Sequence, residues 1–139
     1  MAIEIRRAAV IGAGTMGSGI AAQLANAGIP VLLLDVVPPG ATDRSALAAG
    51  ALTRMRTQHP APFMSAEAMA LVTPGNVEDD LEALHEVDWI IEAVFEDPAV
   101  KAPLYRRLDA ARRPGSIITS NTSTIPLKAL IAGQSEAFC

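Results

Sequence analysis

Cysteine is almost missing from this chain of 139 residues: its one example, Cys139, is the last residue. No disulfide framework can form within the chain, so the fold must rest on its core, as suits a cytoplasmic, reducing setting. An excess of positive charge is missing too. The net charge is −4 and the pI about 5.1, so nothing argues for nucleic-acid binding. No stretch reaches the roughly 18 apolar residues needed to span a bilayer, so no membrane segment is expected. Met1 to Arg7 carries two arginines before an apolar run, but the run breaks at once into glycines and offers no cleavage site, so it is read as the lead into a strand. Repeats, low-complexity tracts and metal-ligand clusters are not seen in the sequence. Charged residues make up 19%, below the usual share of about 25%.

Apolar residues are what the chain has in plenty. Half of it is hydrophobic and the mean hydropathy is +0.30, as a buried parallel sheet requires. The length suggests one domain with a real core.

The most informative stretch is Val10-Ile11-Gly12-Ala13-Gly14-Thr15-Met16-Gly17. It joins an apolar run to a helical pattern and spaces three glycines as G-x-G-x-x-G. Gly12 permits a tight turn off the strand, Gly14 lets a pyrophosphate approach the backbone, and Gly17 lets helix and strand lie close. The helix N-terminus then offers unpaired N–H groups to phosphates. A second apolar run, Ile29 to Leu34, ends in Asp35, eighteen residues beyond Gly17, near the spacing of a ribose-binding acid. Asp35 would accept from the ribose hydroxyls and repel a 2′-phosphate. No arginine follows it immediately, so NAD is favoured over NADP.

Periodicity predicts a helix over about Thr15 to Ala27 with Ile20, Leu24 and Ala27 as its apolar stripe and Ala21, Ala22 and Ala25 allowing close packing, closed by Gly28. A helix of about Arg44 to Gln58, capped by Asp43, places Leu47, Leu52 and Met55 inward and Arg44, Arg54 and Arg56 outward. Those arginines read as a solvated face or as a basic edge for an anionic substrate tail. His59 reads as a loop residue. Ser65 to Ala70 is expected as a short helix, Ala70 to Thr73 as a strand, and Pro74-Gly75-Asn76 as a turn. Asn76 with Asp79 resembles a cap for a short helix, Val77 to His85. Val87 to Val94 is the next strand, and Glu92 within it reads best as a strand-end acid reaching solvent or a backbone N–H. A helix of about Ala99 to Ala111 follows, starting late or bending at Pro103, and then a strand over Ser116 to Ser120. The alternation predicts an α/β, Rossmann-like, doubly wound parallel sheet with helices on both faces. Ligands in such sheets lie beyond the strands' carboxyl ends, where Asp35, Glu96 and Asn121 to Ser123 fall.

Three blocks then combine: Gly12 to Gly17; Glu92-Ala93-Val94-Phe95-Glu96 with Lys101; and Ser120-Asn121-Thr122-Ser123. Together they resemble the NAD-binding domain of the 3-hydroxyacyl-CoA dehydrogenases of fatty-acid β-oxidation. Val37 to Arg44 is most similar to long bacterial members fused to an enoyl-CoA hydratase region. The resemblance implies that Gly12, Ala13, Gly14, Thr15, Met16 and Gly17 hold the pyrophosphate and Asp35 the adenosine ribose. It places Glu96 and Lys101 near the nicotinamide-side ribose, and Ser123 where nicotinamide meets the substrate's C3 oxygen. Ser123 could also cap the turn after it, both roles holding together, and Lys101 could equally be a surface helix residue. Arg54, Arg56 and Asn121 are candidate contacts for CoA.

The family's catalytic histidine lies beyond this loop, with a glutamate partner further on, and the sequence stops at Ala137-Phe138-Cys139 before either. His59 and His85 do not stand in that motif. Residues 1–139 are therefore expected to be the NAD-binding part of a longer enzyme, with the histidine strand and a C-terminal helical domain outside it. An exposed sheet edge would favour homo-oligomers, as would a dimer of the full-length protein. A different dehydrogenase of small β-hydroxyacids, and a non-enzymatic NAD-binding sensor, are the two other readings.

Overall fold

The computed structural model describes residues 4–40, 42–58, 62–94 and 98–120. The order is β1 (Ala8–Ile11), α1 (Thr15–Asn26), β2 (Val31–Asp35), α2 (Ala46–Thr57), α3 (Ala66–Ala70), β3 (Val72–Asn76), a 3₁₀ segment (Leu81–Glu86), β4 (Trp89–Glu92), α4 (Pro98–Ala111) and β5 (Ile117–Ser120). All strands are parallel and lie in the order β3-β2-β1-β4-β5. The doubly wound α/β architecture expected from the sequence is present.

β1 is central because its residues can be buried on both faces. Ala8, Ala9, Val10 and Ile11 are all at most 1% exposed, as a strand between two neighbours and two helical layers must be. Alternate side chains feed two cores. Val10, Leu33 and Ile91 meet α1, α2 and α3 on one face. Ile11, Leu34 and Ile90 meet Leu84 of the 3₁₀ segment and Leu104, Tyr105 and Leu108 of α4 on the other. The connections after β1 and after β4 lead in opposite directions, so the switch point lies between these two strands.

Several local expectations change. Ala21, Ala22 and Ala25 pack closely as expected and, with Gly17 and Ser18, make the buried face of α1, but Ile20 and Leu24 are only half-buried and Ala27 is exposed. Small residues win that face because α1 lies close on the sheet. Leu47 is 40% exposed, and Ala48, Ala51, Leu52 and Met55 form the inner face of α2. That helix starts later than expected, after Ser45, and Asp43 accepts from the Ser45 N–H instead of capping it. Pro74 and Gly75 belong to β3 and not to a turn. Among the described residues β3 pairs only with β2, and an edge strand tolerates a proline that donates nothing. The expected helix from Val77 is a turn followed by the 3₁₀ segment, although Asn76 Oδ1 does accept from the Glu78 and Asp79 N–H groups. Helix α4 runs from Pro98 through Pro103 with no delayed start. Among the described residues no helix is long and apolar enough to cross a membrane.

Candidate functional site

The glycine turn sits at the switch point, and each glycine is there for a different spatial reason. Gly12 has φ +112°, and a Cβ on it would stand 2.4 Å from the Ala93 carbonyl oxygen at the end of β4. A Cβ on Gly17 would fall 1.7 Å from the Gly12 carbonyl oxygen, so α1 can leave the strand only with glycine there. Around Gly14 there is open space: a Cβ would meet nothing within 4 Å, and the residue lies on the exposed side of the turn.

Gly14 is also the N-cap of α1 and has no side chain to cap it. The first N–H groups of a helix lack partners within it, and an anion is their natural complement. The neighbouring N–H, that of Ala13, is taken by Asp35 Oδ2 at 2.7 Å, while Asp35 Oδ1 accepts from the Val36 N–H, also at 2.7 Å. The acid at the end of β2 is thus turned toward the glycine turn, half-buried at the mouth. Ser18 Oγ donates to the Ala13 carbonyl at 3.0 Å and fixes the turn from below. Thr15 and Met16 are exposed in the first turn of α1, and Met16 is 57% accessible.

Across the switch point lies a second cluster, which the sequence reading missed. Glu92 is 0% exposed, so it does not reach solvent; it does reach a backbone N–H as expected, and three side chains besides. Its Oε2 accepts from the Val94 N–H at 2.7 Å. Its Oε1 receives Lys101 Nζ at 3.1 Å, Tyr105 OH at 2.5 Å and Ser120 Oγ at 2.6 Å. A buried carboxylate is tolerable only when paired and hydrogen-bonded, and here an ammonium, two hydroxyls and one N–H meet it. Burial was decided by register, since Glu92 pairs with Ile11 and with Ser120 and so faces α4. The signal in the sequence was an acid inside an apolar strand with a lysine and a tyrosine one helical turn apart in the next helix.

Lys101 is 1% exposed, which corrects the alternative that it is a surface helix residue. Burial gives its ammonium to Glu92, beneath the strand ends. Arg54 and Arg56 lie in the last turn of α2, both exposed, and Arg56 Nε reaches Met69 Sδ of α3. Because a crossover helix runs back against its strands, they are not brought to the glycine turn. Glu96, Asn121, Ser123 and His59 lie outside the described residues. His85 is exposed in the 3₁₀ segment, and among the described residues no group of acids, histidines or cysteines could hold a metal ion.

An open parallel sheet with a bare glycine turn at its switch point and an acid at the end of the second strand defines the dinucleotide-binding α/β class. Residues 7–137 match the family "3-hydroxyacyl-CoA dehydrogenase, NAD binding domain", and the chain belongs to that family. It is 48% identical over 136 residues to a probable 3-hydroxyacyl-CoA dehydrogenase of Deinococcus radiodurans, covering 98% of this chain and 39% of that one. It is 47% identical over 149 residues to a protein of the same name from Bacillus subtilis, covering 97% of this chain and 19% of that one. Among solved structures, FadB2 of M. tuberculosis is similar at a TM-score of 0.75 and 33% identity, over 94% of this chain and 45% of that one. The chain thus spans less than half the length of these relatives.

Proposed function

We propose that this chain seats NAD for an enzyme that oxidises (S)-3-hydroxyacyl-CoA to 3-oxoacyl-CoA. The observation that carries this reading is the open approach to Gly14 at an uncapped helix N-terminus, with Asp35 turned toward the same turn. The residues fit the cofactor: bare backbone and N–H groups for the diphosphate, a carboxylate for the adenosine ribose. When bound, NAD supplies the hydride acceptor, and the protein supplies placement and electrostatics. Gly12, Ala13, Gly14, Thr15, Met16 and Gly17 hold the diphosphate, and Asp35 the ribose hydroxyls. Glu96 serves the second ribose, Lys101 supports that side of the site through its buried pair with Glu92, and Ser123 holds the substrate's C3 oxygen, a role its hydroxyl suits in either direction. These last assignments draw on the family pattern. The acyl-CoA substrate does so as well, with Asn121 as a proposed CoA contact; Arg54 and Arg56, at the far end of α2, are not assigned that role.

Titration of the chain with NADH, followed through Trp89 fluorescence, is expected to show saturable binding. An absence of binding at millimolar NADH would remove the reading. We also propose that the chain self-associates, as an exposed sheet edge or a dimer of the full-length protein would favour. Sedimentation showing a monomer at every concentration would contradict that.

A further inference from the structure

Two strand ends lie side by side at the adenosine end of the site. Asp35 closes β2, Asn76 closes β3, and the two are partners in register. The Val77 N–H donates to the Asp35 carbonyl at 3.0 Å. Asn76 is 2% exposed, and its Nδ2 donates to Ser45 Oγ at 3.1 Å and to Asp79 Oδ2 at 3.0 Å. Asp79 in turn holds Arg44 at two points: Nε reaches Oδ2 at 2.7 Å and Nη2 reaches Oδ1 at 3.0 Å. A chain of hydrogen bonds therefore runs from the residue beside Asp35 to the first cation that follows Asp35 in the sequence.

We infer that Asp79 is a specificity-determining residue for the dinucleotide. By occupying the Arg44 guanidinium it withholds the first cation that follows Asp35 in the sequence from a 2′-phosphate on the adenosine ribose. The inference rests on Asp35 being the ribose acid. A phosphate is recognised by positive charge, best by the planar two-point fork of an arginine. Val36, Val37, Pro38, Pro39 and Gly40 give it nothing of that kind, and Arg44 is the next candidate. Its fork is closed by a carboxylate that Asn76 Nδ2 holds, and Asn76 is itself fixed by the Glu78 and Asp79 N–H groups donating to its Oδ1. The neighbouring Glu78 adds negative charge but is itself bound by Arg107. Asp79 thus keeps the surroundings of Asp35 from turning basic. The Asp79 carboxyl is held below its ordinary range by the Arg44 hydrogen bond first and the Asn76 one second. The pair is about half exposed on each side, so the fold tolerates its loss.

The test compares NADH and NADPH affinities of the 139-residue chain as wild type, Asp79→Asn, and Asp79→Asn with Arg44→Ala. The same set in an Asp35→Asn background removes the repulsion of the ribose acid. Asp79→Asn is expected to improve NADPH affinity relative to NADH by about 3- to 10-fold. The gain should shrink with added salt and vanish when Arg44 is also removed. Asp79→Ser serves as a second variant, and NADH binding reports that each protein is folded. An unchanged NADPH-to-NADH ratio in variants that still bind NADH would overturn the inference alone, as would a gain that persists without Arg44. A wild-type chain that ignores NADH would overturn the site reading and this inference together.

Discussion

The ammonium of Lys101 and the carboxylate of Glu92 face each other at 3.1 Å, almost sealed from water, at the carboxyl end of the sheet. Glu92 also receives Ser120 and the Val94 N–H. One carboxylate thereby ties α4 to the two strand ends, β4 and β5, from which the chain runs on toward Glu96 and Ser123.

Glu92→Ala removes the charge that compensates Lys101 in a dry setting. Breaking one side of a buried pair costs about 3–5 kcal/mol, so a large drop in the urea midpoint is expected. Glu92→Gln keeps the shape and one acceptor and should cost less. Equal stability of all three proteins would show that the pair does not hold α4 to the sheet.

Gly14 and Gly17 should separate folding from binding. Gly14→Ala has room and is expected to stay within about 1 kcal/mol of wild type while losing NADH affinity. Gly17→Ala drives a methyl against the Gly12 carbonyl and should cost about 3 kcal/mol or more. Thermal melts with parallel NADH titrations decide it; a Gly14→Ala protein that binds normally would mean that the diphosphate does not approach there.

Asp35→Asn keeps an acceptor for the Ala13 N–H but loses the charge. Hydrogen bonds to charged groups contribute about 1.5–3 kcal/mol, so NADH affinity should fall about 10- to 100-fold with little change in stability. Calorimetric titration reads this directly, and an unaltered Kd would free Asp35 from the ribose role.

Asp88 anchors the other end of the sheet. It accepts from the Arg6 and Arg7 N–H groups at 2.9 and 3.1 Å and from Arg113. The Arg6 backbone bond is the largest reason that its carboxyl is held below the ordinary range, with the Arg7 bond and the Arg113 charge adding to it. Its folded pKa lies below the unfolded one, so its stabilisation is complete above about pH 4 and is lost as pH falls through the folded value. Asp88→Asn should be less stable near neutrality, and the gap should close toward about pH 3. Urea midpoints across that range that keep a constant gap would assign the stabilisation to packing.

Much of the site could be read before the fold. The glycine spacing and the acid at the end of the second apolar run are local patterns, because a backbone that must turn and approach a phosphate accepts few residue types. The close approach of α1 was legible in Gly17 and its alanines, and of the apolar stripe only Ala27 fails, because helical period alone does not say where the helix end leaves the sheet. Pro74 and Gly75 read as a turn because an edge strand cannot be distinguished from one without its neighbour. Arg44 read as a solvated cation because Asp79, its partner, arrives by way of another strand.

What the sequence determined by itself was the βαβ alternation, the glycine turn and the position of Asp35, all set within a few residues of chain. Only the tertiary structure decided that Glu92 and Lys101 are a buried pair and that Asp79 closes on Arg44. Charge pairing depends on distance and burial, and those are set by strand register and the packing of helices from separate parts of the chain.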